Sequence, residues 1–65
     1  MNYVKELVNE YGVSKYRIAK IIGVSWNTVS FWYKEVFKPK QSNVVMLKEM
    51  LDGEIKKERD NGRVD

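Results

Sequence analysis

Apolar positions divide the chain into helical stretches separated by glycine, serine and proline. Val4, Leu7, Val8 and Tyr11 recur at three- and four-residue spacing, which predicts a first helix starting near Asn2 and ending before Gly12. Lys5, Glu6, Asn9 and Glu10 fall on its solvated side, and Val13 packs at the corner that follows. Ile18, Ala19 and Ile22 predict a second helix over 15–22, capped by Ser14 and stopped by Gly23. A third opens at Trp26 behind the cap residue Ser25 and buries Val29 and Trp32. With Glu35 rather than glycine at its end, it is predicted to run through Val36. Pro39 marks a turn. Val44, Leu47 and Leu51 predict a fourth helix capped by Ser42 or Asn43. Asp52-Gly53 interrupts it, after which Glu54 to Arg59 either resumes helically or frays. The expected fold is all-α, a compact bundle of four to five helices forming one domain over 1–59, with a flexible tail over 60–65.

The second and third helices carry the most information. Gly23 takes a left-handed backbone at least cost, Ser25 caps the next helix two residues later, and Ala19 is small where two steeply crossing helices touch. That is the geometry of a helix-turn-helix. Charge agrees with it. Residues 14–40 carry Lys15, Arg17, Lys20, Lys34, Lys38 and Lys40 against Glu35 alone, so the positive excess of a chain with net charge +3 lies on this segment and the flanks are slightly acidic. A cationic band of this kind is the footprint of a polyanion binder; plain solvation of helix faces is the competing reading.

Composition removes other classes. With 65 residues there is room for one small core, and there is no Cys and no His, which excludes disulfides, zinc fingers and His-based acid–base catalysis. No apolar run approaches the roughly 20 residues that span a bilayer, and the N-terminus lacks the layout of a secretory signal, so a cytoplasmic protein is expected. Glu49, Asp52 and Glu54 lie close in sequence, but such runs are usually a solvated helix face, and no glycine-rich phosphate loop is present. No enzyme, catalytic residue, metal, cofactor or small-molecule substrate is expected.

Ala19, Gly23, Val24, Ser25, Thr28, Val29, Ser30 and Trp32, with Pro39, Val44, Leu47 and Leu51 beyond them, resemble the phage Cro and repressor helix-turn-helix family, the lambda-repressor-like fold of many Xre-type regulators. The likeness covers most of the chain. Arg17, Tyr33 and Glu35 depart from it, standing where the family often has an acid or amide, an acid, and a helix-ending glycine. The resemblance implies sequence-specific binding of double-stranded DNA by a small transcriptional regulator, a repressor of phage or plasmid type, with its third helix in the major groove.

On that helix Asn27 can read adenine bidentately, Ser30 can read either kind of base pair, and Trp26 and Phe31 offer apolar surface to thymine methyl groups. A protein or dimer contact for Trp26, and core or edge packing for Phe31, are the alternatives. The resemblance implies phosphate contacts for Lys15 at the start of the second helix, for Thr28 and Lys34, and for Lys38 and Lys40 beside Pro39, for which last two a plain solvated loop is the alternative. Tyr16 and Arg17 can share the first of these through a phenol and a guanidinium, or Arg17 is a surface residue without a partner. Val45, Met46, Met50 and Ile55 exceed what so small a core needs and suggest a homodimer, at least on DNA, with internal packing as the competing reading. A second functional class also fits the sequence: a protein-interaction or assembly module of a phage packaging or recombination machine that keeps this fold without reading bases.

Overall fold

Asn2, Ser14 and Ser25 begin helices in the same way. Asn2 Oδ1 accepts from the Lys5 amide at 3.1 Å, Ser14 Oγ from the Arg17 amide at 3.0 Å and Ser25 Oγ from the Thr28 amide at 3.1 Å. Each thereby satisfies one of the free N–H groups of a helix start. The helices that follow, in a computed structural model describing residues 2–61, are α1 (Tyr3–Tyr11), α2 (Lys15–Ile22), α3 (Trp26–Tyr33) and α4 (Gln41–Asn61). Among the described residues there is no strand, and no helix is long and apolar enough to cross a membrane.

The core draws on all four helices. Val4 and Leu7 of α1, Ile18, Ala19 and Ile22 of α2, Val29 and Trp32 of α3, and Leu47 and Leu51 of α4 are buried together with Val13 at the first corner. Val8 and Tyr11 pack against this cluster half-buried, and Val44 is also half-buried. Gly12 and Gly23 follow α1 and α2 at φ 68° and 88°, the left-handed region in which a Cβ is strained.

The end of α3 differs from the sequence expectation. The helix stops at Tyr33 and does not run through Val36, which is 63% exposed. Glu35 itself takes the left-handed conformation, φ 61°. Its amide donates to the Trp32 carbonyl at 3.1 Å and the Val36 amide to the Phe31 carbonyl at 2.9 Å, which together make a Schellman cap. Glutamate therefore does the work usually left to glycine. A left-handed backbone costs a residue with a Cβ about 1–2 kcal/mol. Part of that cost is offset by an ion pair from Glu35 Oε2 to Lys5 Nζ at 2.8 Å. The Lys5 hydrogen bond and charge hold the Glu35 carboxyl below its ordinary value, and the same pair raises Lys5. The contribution is present above the ordinary carboxylate pKa and fades as pH falls through the depressed one; at the alkaline end it fades as pH rises through the raised Lys5 value. Glu35→Gly should raise the urea midpoint at pH 7, since strain relief exceeds the worth of an exposed pair. A lowered midpoint would show that the pair dominates.

Three expectations for the last helix are also corrected. It starts at Gln41, one turn-forming residue after Pro39, because the Lys40 carbonyl accepts from the Asn43 and Val44 amides at 2.9 and 3.0 Å; Ser42 and Asn43 lie inside the first turn and do not cap it. It is not broken at Gly53. Buried Leu51 and Ile55, which packs on the core, anchor the helix on either side, so the roughly 1 kcal/mol cost of an interior glycine does not open it. Among the described residues there are accordingly four helices and no fifth. Positions 60 and 61, expected in the tail, belong to α4; positions 62–65 of that tail lie outside the described residues. A Cβ at position 53 meets nothing within 4 Å, so Gly53→Ala should stabilise the domain by ~0.5–1 kcal/mol in denaturant unfolding.

Candidate nucleic-acid interface

One turn of helix is 3.6 residues, so α3 shows distinct strips. Val29 and Trp32 face the core. Asn27, Phe31 and Lys34, at i, i+4 and i+7, form an exposed outer strip. Between these lies a third strip of Trp26, Ser30 and Tyr33, and here the Lys15 ammonium sits 4.2 Å from the centre of the Tyr33 ring and 5.7 Å from that of Trp26.

This arrangement corrects the role expected of Ser30. It is only 5% exposed, on the strip of α3 that lies beside the core face. A short hydroxyl this buried does not reach a base. Asn27 stays exposed, as do Trp26 at 49% and Phe31 at 41%. Phe31 also meets Phe37, whose ring centre is 5.4 Å away at a tilt of 49°, so edge packing and exposure coexist at this residue.

The expected phosphate-contacting residues divide by freedom. Tyr16, Arg17, Lys34, Lys38 and Lys40 are exposed. Lys15 is half-buried against its two rings, and the Thr28 hydroxyl lies 2.9 Å from Ser25 Oγ, engaged in the α3 cap. Among the described residues no cation of the 14–40 band forms an ion pair, and Glu35, the band's one acid, is held by Lys5. Other carboxylates gather where the end of α1 meets α4. There Glu6, Glu10 and Glu58 surround Tyr11, and burial first, then Glu58 and its neighbours, raise the Tyr11 phenol above its ordinary value. Lys34→Ala should weaken all duplexes about equally and lower the slope of log K against log salt by ~0.9, measurable by fluorescence anisotropy.

Sequence reading did not identify the groups that hold α3. Asn2, besides capping α1, donates through Nδ2 to the Trp32 carbonyl at 3.0 Å and to that of Tyr33 at 3.5 Å. The Tyr33 hydroxyl donates to Asn9 Oδ1 at 3.0 Å. With Lys5 on Glu35, α1 thus grips the last turn of α3 at several points. The departures at positions 33 and 35 were the available signal, but their partners lie far off in sequence.

Of the surplus apolar residues on α4, Val45 and Met46 are exposed. Met50 and Ile55 pack half-buried on the protein's own core, the internal packing that was the competing reading for them. Comparison with protein-family models, curated proteins and solved structures finds no match to this chain.

Proposed function

We propose that this chain is a helix-turn-helix protein of Cro/repressor type that binds double-stranded DNA, docking α3 in the major groove as a small cytoplasmic transcriptional regulator. α2, the turn at Gly23 and α3 are the helix-turn-helix. The observation that carries the reading is the outer strip of α3: an exposed Asn27 able to read a base edge, beside exposed cations that, among the described residues, no carboxylate neutralises. Arg17, Lys34, Lys38 and Lys40 supply affinity through counterion release, with Lys15 beside them; Asn27, Phe31 and the free edge of Trp26 supply discrimination. Binding involves no chemical step. Two copies on one site, paired through the exposed Val45 and Met46, would set two recognition helices about 34 Å apart on the duplex.

Selection of bound duplexes from a random pool, with the mass of the complex, tests this. The expected result is one enriched motif with two-fold character carrying two copies of the protein. An unenriched pool with uniformly weak, salt-sensitive binding would instead favour the assembly-module reading, in which Trp26 and Phe31 meet a protein.

A further inference from the structure

We infer that Tyr33, fixed by Asn9 and joined by Trp26, is a positioning residue that presents the Lys15 ammonium to a phosphate oxygen of the duplex backbone; the inference rests on the DNA reading above. Trp26 and Tyr33 are the first and last residues of α3, two turns and about 10 Å apart along one side of it. Lys15, the first residue of α2, reaches over both rings. A cation is attracted to an aromatic face yet keeps its whole charge, whereas a carboxylate in the same place would cancel it. Tyr33 is in turn held by its hydroxyl on Asn9 of α1. Lys15 is therefore braced by α3, and through Tyr33 by α1, with no ion pair among the described residues, while Lys20, Lys34, Lys38 and Lys40 are exposed. A phosphate bound by Lys15 is registered directly to both ends of the helix that reads bases.

Freezing one long side chain in advance is worth about 2- to 10-fold in affinity. The test is binding to a mixed-sequence duplex across a salt series for the wild type, Lys15→Ala, Tyr33→Leu, Tyr33→Phe, Asn9→Ala and the double variants Lys15→Ala/Tyr33→Leu and Lys15→Ala/Asn9→Ala. Lys15→Ala should lower the salt slope by ~0.9. Tyr33→Leu should weaken binding about 2- to 10-fold with the slope unchanged, because the charge still arrives but unaligned. Tyr33→Phe, which keeps the ring, should retain most of the affinity. Once Lys15 is alanine, Tyr33→Leu should cost nothing further, an outcome a merely structural role for Tyr33 would not give. Asn9 is exposed and its loss spares the core, so Asn9→Ala gives a milder, equally Lys15-dependent effect even if Tyr33→Leu folds poorly.

In the free protein, the Lys15 side-chain methylene protons should be ring-shifted upfield in the wild type and Tyr33→Phe and should lose part of that shift in Tyr33→Leu. Equal losses with and without Lys15, or unshifted Lys15 methylenes, would overturn the inference. A wild-type protein that binds no duplex, despite ring-shifted Lys15 protons, would overturn the DNA reading and this role with it.

Discussion

Trp32→Ala is expected to unfold a large share of the protein at 25 °C. Trp32 is buried, and truncating a buried aromatic costs about 3–5 kcal/mol through lost transfer energy and the cavity left behind. A domain of 65 residues has roughly 3–10 kcal/mol in all, at 0.05–0.15 kcal/mol per residue. The loss is therefore comparable to the whole. The backbone carbonyl of residue 32, which takes the Asn2 and Glu35 donors at the end of α3, is kept in the variant, so the cost lies in the lost side chain. Trp32→Phe keeps much of the volume and should cost less. Urea unfolding followed by far-UV circular dichroism separates these cases: the alanine variant should show little or no native baseline. A cooperative transition at the wild-type midpoint would mean that Trp32 is not the keystone described.

Asn27→Ala is expected to leave stability unchanged and to alter recognition at a single base pair. The side chain is exposed and forms no hydrogen bond within the protein among the described residues, so its removal leaves no buried group unsatisfied. A bidentate pair with adenine discriminates by ~1–3 kcal/mol. The variant should therefore lose about that much at one position of the preferred site and bind other positions with the original ranking. Affinities for a set of single-base-pair variants of the selected site measure this. A uniform loss across the set would make Asn27 a backbone contact; no loss would remove it from the interface.

Much of this architecture is legible in the sequence because it is local. Ser14 and Ser25 cap where an i to i+3 acceptor is needed, and Gly12 and Gly23 end helices where the backbone turns left-handed. The core from Val4 to Leu51 follows from the helical period of the apolar residues. The readings that failed depend on partners distant in sequence or on competition between small terms. Ser30 looked available from its place on the helix, but it lies beside the core face and is 5% exposed. Gly53 looked like a break, but burial of Leu51 and Ile55 outweighs its propensity. Glu35 suggested a longer α3, yet it adopts the glycine conformation with Lys5 as its partner. Of the candidate site, Asn27 and the cations other than half-buried Lys15 were legible as exposed positions; the grip of Asn2, Lys5 and Asn9 on α3 was not, because each contact spans more than twenty residues.

The most direct test follows the Asn27 side-chain amide and the backbone amides of isotope-labelled protein by nuclear magnetic resonance as the selected duplex is added. The predicted result is that signals from Lys15 to Arg17, Asn27, Phe31, Lys34, Lys38 and Lys40 shift together, while those of Glu6, Glu10, Glu54 and Glu58 stay in place. Binding that moves the acidic α1–α4 surface and leaves Asn27 untouched would contradict it.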